Sequence, residues 1–285
     1  MSGDLVEDVQ NSPDLRNLAL DRVGIRGIRH PLVFEEVTPE GKYTLQHTVA
    51  RFEMLVDLPK HVKGTHMSRF IEILNEQETR LSLATLQPWL HAMVKRLNAN
   101  CGYFQARFPY FIQKYAPISK VPSLMDYDIL LEGISEKSIH ETRVTLVVPV
   151  TSLCPCSKKI ANYGAHNQRS HVTVVLQIKP SVPVSITKII QLVESKASCE
   201  LYGILKRADE KNVTERAYDN PQFVEDTVRD IAQALDRFPG ILGYKISSEN
   251  FESIHNHSAY AEIDKLWTPE KVSQKTYNFA EKVTS

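Results

Sequence analysis

The chain has 285 residues, with 34 Lys plus Arg balanced by 34 Asp plus Glu. That length accommodates one large domain or two small ones, each able to bury a core. Zero net charge gives no reason to expect general binding to nucleic acid or to a membrane surface, yet it leaves room for a local basic pocket that takes a phosphorylated ligand. No apolar run approaches the roughly 18 residues of a membrane span, and the N-terminal MSGDLVEDVQNSPDLRNLAL is acidic where a signal peptide would be basic. Both features predict a soluble, cytoplasmic protein that binds neither nucleic acid nor membrane. Four cysteines, Cys101, Cys154, Cys156 and Cys199, are too few and too scattered for a disulfide framework. Cys101 and Cys199 read as small buried hydrophobes, whereas Cys154 and Cys156 lie outside any apolar helical pattern.

The first 25 residues are polar and aperiodic and read as an N-terminal arm. IRHPLVFEEV is a short apolar run with the look of a strand. HTVARFEMLVDLP alternates, with Ala50, Phe52, Met54, Val56 and Leu58 on one face and Arg51, Glu53 and Asp57 on the other, which predicts a half-buried strand. Phe70, Ile71 and Leu74 fall at helical spacing, as do Leu86, Leu90, Met93 and Leu97. YFQARFPYFIQK and LMDYDILLEGI read as two more strands. ETRVTLVVPVTSL and HVTVVLQIK then open a second series of the same kind. Ser185 caps a predicted helix carrying Ile186, Ile190, Val193 and Ala197 and reaching toward Leu205. Asn220-Pro221 reads as the start of a further helix carrying Val224, Val228, Ile231 and Leu235. GYKISSEN and SAYAEID close the series as strands. The order is strand, strand, helix, helix, strand, strand, twice over, without sequence identity between the halves. It predicts an α+β fold with halves over residues 26–138 and 139–265, and it leaves a tail over 266–285 with no assigned role.

Cys154 follows directly on one predicted strand and His166 precedes the next, so a hairpin would bring them together at one sheet end. Thiolate and imidazole suit zinc and similar ions. Lys158, Lys159, Arg169 and His171 lie in or beside the same loop, and cations of this kind favour a reactive thiolate. The spacing alone leaves a metal ligand, a nucleophile and a structural cysteine all open. Glu252, His255 and His257 in ENFESIHNHSAYAEI offer ligation or acid–base work, or make an ordinary solvated turn. In GTHMSRF, Thr65, His66, Ser68 and Arg69 stand at a helix start, which suits an anion or a plain cap. Asp209 and Glu210 in RADEK read, taken alone, as a solvated charge run. No G-x-G-x-x-G or Walker A pattern is present, so any phosphate is held without a P-loop.

The segments DVQNSPDLRNLALDRVGIRGIRHP, VKGTHMSRF, PVTSLCPCSKKIANYGAHNQRSHVTV, YGILKRADEKNVTERAYDNPQFVEDTVRDIA and SENFESIHNHSAYA, running from Asp8 to Ile263, resemble the type IB GTP cyclohydrolases. The resemblance implies a tunnelling fold, each half a four-stranded antiparallel sheet with two helices on one side. It also implies a homo-oligomer, a tetramer, with active sites between subunits. The implied reaction takes GTP to dihydroneopterin triphosphate and formate, the first step of folate biosynthesis. A divalent metal (zinc, manganese or iron) would be held by Cys154, His166 and Glu210, so the resemblance reverses the plain reading of Glu210. Glu225 matches the residue that anchors guanine. Glu252, His255 and His257 match acid–base positions, and His66, Arg69, Lys206 and Arg207 are candidates for the triphosphate. Two other readings stay open: a tunnelling-fold reductase with Cys154 as nucleophile on a nitrile, and a non-enzymatic zinc-binding scaffold.

Overall fold

Alternating sequence becomes long antiparallel strands in the computed structural model, which describes residues 10, 12–76, 80–136 and 139–266. In chain order the elements are β1 (Leu20–Val37), β2 (Tyr43–Leu58), α1 (Met67–Asn75), β3 (Arg80–Leu81), α2 (Leu86–Arg96), β4 (Cys101–Tyr115) and β5 (Pro122–Glu136). They continue as β6 (Ile139–Leu153), α3 (Pro155–Ile160), β7 (Asn167–Ile178), α4 (Ile186–Glu194), β8 (Cys199–Glu200), α5 (Arg207–Asp219), α6 (Val224–Leu235), β9 (Ile241–Asn250) and β10 (Ala259–Lys265). Each half contributes four long strands, and the halves fuse through the antiparallel β5–β6 pair. The continuous sheet runs β10-β9-β7-β6-β5-β4-β2-β1-β3, with β8 paired to β6. This is the α+β architecture expected from the doubled pattern.

One face of the sheet carries the core. Phe52, Met54, Phe104, Phe108, Ile129, Leu131, Leu146, Val174 and Leu176 are all buried and share one apolar cluster with Leu90 of α2, Ile190 of α4 and Ile231 of α6. Fully burying one such side chain is worth about 1.5–3 kcal/mol, so the stripes read from sequence hold the helices to the sheet. The halves are also joined by a buried polar contact. Glu36 of β1 accepts hydrogen bonds from Ser185 Oγ at 3.0 Å and Thr187 N at 3.1 Å, at the start of α4. Burial pushes the Glu36 carboxyl up, and those donors work against the rise.

Three expectations are corrected. The helix capped by Ser185 ends at Glu194, well short of Leu205, and a separate helix, α5, follows. That helix carries almost no apolar stripe (only Asp209 and Ala217 are buried), so hydrophobic periodicity could not announce it. Asn220-Pro221 ends α5 instead of starting the next helix: Asn220 is its C-cap, and α6 begins at Val224 behind Phe223. Proline disfavours helical backbone in the residue before it, so the pair acts as a stop. Strand β1 begins at Leu20, inside the stretch read as an arm. Residues 267–285, nearly all of the predicted tail, lie outside the described residues.

Gly24 shows how closely β1 lies on β2. A Cβ built there would stand 2.1 Å from the carbonyl oxygen of Met54, a backbone atom with no rotamer to yield. Gly24→Ala is expected to destabilise the chain by about 1–3 kcal/mol, as overpacking does. Urea unfolding checks this, and a midpoint equal to wild type would contradict the close approach.

Candidate functional site

The β6–β7 pair sets Leu153 opposite Asn167 and Ser152 opposite Gln168. At the next step out, Cys154 N donates to His166 O at 3.1 Å, which closes the hairpin end and fixes the two residues side by side. Cys154 is then the N-cap of α3, with Pro155 at the first helical position, where its missing N–H costs nothing. Ser157 N lies 3.5 Å from Cys154 Sγ, Ser157 Oγ donates to Cys154 O at 3.1 Å, and His166 N donates to Ser157 Oγ at 3.2 Å. The hairpin predicted from sequence therefore exists.

Strand β9 pairs with β7 and brings a third segment to the same end, with Ser170 opposite Asn250. Just beyond, Phe251 N donates to Arg169 O at 3.1 Å. The Glu252 carboxylate then lies 3.8 Å from His166 Nδ1, and both side chains are largely buried. Gln168 Oε1 lies 3.0 Å from the same nitrogen. With Nδ1 turned to these partners, Nε2 is the nitrogen of His166 placed to ligate. A ligating histidine typically has this backing, its other nitrogen held by a carboxylate or amide oxygen. A thiol beside such an imidazole is a donor pair that fits a divalent ion of zinc type, and manganese or iron where carboxylate joins.

Other predicted residues are placed as follows. His255 and His257 are exposed on the turn after Glu252, their rings stacked at 5.0 Å between centroids. Glu225 is exposed in the first turn of α6. The loop before that helix is tied to the site, since Gln222 N donates to Leu153 O at 3.1 Å. Glu210, Lys206 and Arg207 are exposed together at the start of α5. The other end of α5 meets α3, through a hydrogen bond from Lys158 Nζ to Tyr218 O. Eight residues of helical rise separate Tyr218 from Glu210, about 12 Å. Among the described residues of one protomer no three His, Cys, Asp or Glu side chains converge as a metal site, so Glu210 does not join Cys154 and His166 in such a cluster. His66 caps α1 without a side-chain cap bond, and Arg69 follows in the same first turn. That helix packs on β1, which is four strand spacings from β6 in the sheet order, roughly 20 Å.

The sequence reading missed the polar residues beneath the site. Ser152, Gln168, Ser170, Ser248 and Asn250 are all buried. Each continues the core face of its strand, where the period of two calls for an apolar side chain. The signal was in the sequence: three strands turn polar on their buried face at the same end. A cavity of about 540 Å³ opens alongside, lined among others by Asn167, Arg169 and His171 of β7 and by Thr214 and Ala217 of α5. Burial, and then the Arg169 charge, lower the His171 pKa.

The sequence alone reads Asp209 as part of a solvated charge run, and the structure corrects this. It is fully buried and accepts from Ile118 N, Ser119 N and Lys206 N at 2.8 Å each, and from Ser119 Oγ at 2.6 Å. Burial alone would raise its carboxyl, but these donors hold it well below the usual aspartate value. It thereby pins the start of α5, with Lys206, Arg207 and Glu210, onto the turn between β4 and β5.

Compared with known proteins, the model of the family described as type I GTP cyclohydrolase FolE2 matches residues 6–261. A relative named GTP cyclohydrolase FolE2 from Methylobacillus flagellatus is 56% identical over 260 residues, covering 91% of this chain and 96% of the relative. Another of the same name from Azoarcus sp. is 56% identical over 261 residues, with coverage of 91% and 95%. Among solved structures, uricase from Arthrobacter globiformis aligns with a TM-score of 0.46 at 10% identity, covering 90% of this chain and 96% of that one, a likeness too loose to argue from.

Asp209→Asn places an amide against donors and is expected to lower the thermal midpoint at neutral pH. Because the folded-state pKa lies below the unfolded one, the wild-type contribution is present above the ordinary aspartate value, about 3.9, and fades as pH falls below it. The gap between wild type and variant, followed by thermal unfolding against pH, should hold at neutral pH and narrow in acid. Equal midpoints at neutral pH would contradict the pinning role.

Proposed function

The chain belongs to the type I GTP cyclohydrolase FolE2 family, and on that premise we propose how its own residues divide the work. It is a hydrolase acting on GTP. The observation that carries the proposal is the closed hairpin end, with Cys154 N bonded to His166 O and His166 Nδ1 backed by Gln168 and Glu252. A cysteine acting only as a nucleophile on a nitrile needs no imidazole oriented in this way. A structural zinc scaffold would close its site with four Cys or His ligands, whereas the carboxylate of Glu252 stands beside His166 at this end.

Cys154 and His166 would hold the divalent ion, zinc, manganese or iron, with Glu210 as the third ligand. When bound, the ion supplies Lewis acidity and lowers the pKa of water at the site. Glu252 and the stacked pair His255 and His257 sit at the same end and move protons as the imidazole ring of guanine opens and formate leaves. Glu225 anchors guanine. Its place in the first turn of α6 favours the ionised carboxylate, which accepts from both the ring N–H and the exocyclic amine. His66, Arg69, Lys206 and Arg207 supply positive charge for the triphosphate.

These groups come from four separate places on one protomer: the hairpin end and the starts of α5, α6 and α1. The site is therefore completed between subunits of a homo-oligomer, which we take to be a tetramer, with Glu210 presented by a neighbour. Among the described residues β10, and β1 beyond its two-residue pairing with β3, present strand edges, which also favours assembly, since unpaired edges are aggregation hazards unless covered. Among the described residues no helix is long and apolar enough to cross a membrane. We assign the protein to the cytoplasm and to folate biosynthesis.

Two outcomes test this. Cys154→Ala and Glu210→Gln should each abolish turnover and weaken metal retention while leaving the fold intact. Co-expressed as mixed oligomers, the two inactive variants should regain part of the activity, because some interfaces then pair an intact Cys154 with an intact Glu210. Mixed oligomers that stay inactive would place both ligands on one chain.

The second outcome concerns guanine. Glu225→Gln replaces an acceptor oxygen with a donor amide, and a mismatched buried pair costs about 1–3 kcal/mol or more where charge is involved. GTP binding should weaken by that amount with metal still bound, and inosine triphosphate, which lacks the exocyclic amine, should bind wild type less tightly than GTP. Wild-type GTP turnover by Glu225→Gln would place the anchor elsewhere.

A further inference from the structure

The buried polar residues beneath the Cys154–His166 end form one connected chain of hydrogen bonds, and its order is directional. Ser170 Oγ donates to Asn250 Oδ1 at 2.6 Å, and Ser248 Oγ lies 3.5 Å from the same oxygen. With its oxygen so engaged, Asn250 turns its amide nitrogen to Ser152 Oγ, at 3.0 Å. Ser152 Oγ and Glu252 Oε1 each lie 3.5 Å from Gln168 Nε2. A carboxylate only accepts, so the Gln168 amide must keep its nitrogen toward Glu252 and its oxygen toward His166. That oxygen is 3.0 Å from His166 Nδ1, which must then be the protonated nitrogen of the neutral ring. The lone pair is left on Nε2.

We propose that Gln168 is a positioning residue that sets the tautomer and ring orientation of His166, so that Nε2 is presented beside Cys154. The assignment rests on the reading of Cys154 and His166 as metal ligands, but its cause lies in the chain's own hydrogen bonds. Ser152, Ser170 and Asn250 act one step further back, by holding the Gln168 amide in one of its two orientations. All four are buried on strands, two of them facing across β6–β7 and two across β7–β9, so the constraint is rigid. Outer partners of this kind typically change metal affinity 10–100-fold. Gln168→Met keeps volume and removes both oxygen and amide. Gln168→Glu keeps an acceptor facing Nδ1.

The test is nitrogen NMR of metal-free protein labelled at histidine, with the His166 signal identified by its absence in His166→Asn, together with zinc affinity by chelator competition. Wild type should carry the His166 proton on Nδ1. Gln168→Met should lose that preference and bind zinc about 10–100-fold more weakly, while Gln168→Glu should retain the Nδ1 proton. A folded Gln168→Met with the wild-type tautomer overturns the proposal, as does one with a changed tautomer and unchanged zinc affinity. Should Gln168→Met fail to fold, a folded Gln168→Glu lacking the Nδ1 proton overturns it equally. Failure of the ligand reading appears separately, as zinc binding by wild type no tighter than by Cys154→Ala. The metal-free tautomer comparison still judges Gln168 in that case.

Discussion

The antiparallel register of β6 on β7 is the constraint on which the site depends. Because side chains alternate with a period of two, the pairing that sets Leu153 opposite Asn167 also decides which residues enter the core and which reach the sheet end. A slip by one residue would turn Val144, Leu146, Val148 and Val150 out of the core, and that apolar face is what forbids it. With the register fixed, the backbone bond from Cys154 to His166 follows, and so does the start of α3 at Cys154. The pairing of β9 on β7 then delivers Glu252 to the other side of His166. Long-range strand pairing thus gathers residues nearly a hundred positions apart without a dedicated loop.

At that end of the sheet the usual logic of the core is reversed. Burying serine, glutamine and asparagine costs free energy unless each finds partners, and here the partners are the other strand residues of the network, with His166 and Glu252 at its end. A network satisfied in this way is stiff, and stiffness is what the proposed pair of ligands would need. The start of α5 uses the same device differently. Asp209 takes four hydrogen bonds in place of apolar packing, so a helix with almost no buried face is still held in place.

Much of this was legible in the sequence, because alternation and helical stripes report burial directly. The strands from β2 to β10 (the two-residue β3 and β8 aside), the cap at Ser185 and the meeting of Cys154 with His166 followed from patterns of a few residues. The helix α5 was not legible, since RADEKNVTERAYD offers no periodic apolar face and is held mainly by polar contacts, those of Asp209 at its start and of Arg216 and Tyr218 near its end. Asn220-Pro221 misled because the same pair can close one helix or open another, and only the preceding helix decides which. Gln168 and Asn250 were visible as polar residues at core positions, but what they touch depends on two strand pairings that no local pattern fixes. The roles proposed for Glu210 and Glu225 rest on resemblance alone, because both are exposed at helix starts where no local pattern links them to the hairpin end.

In the proposed site the hairpin end would hold a catalytic ion through one cysteine and one histidine, leaving room for water. X-ray absorption spectroscopy of the zinc-loaded protein tests it most directly. One sulfur scatterer is expected near 2.3 Å, with the remaining ligands nitrogen or oxygen near 2.0–2.2 Å, about four in all. Two or more sulfurs, with Cys156 drawn in to close the shell, or no sulfur at all, would contradict it.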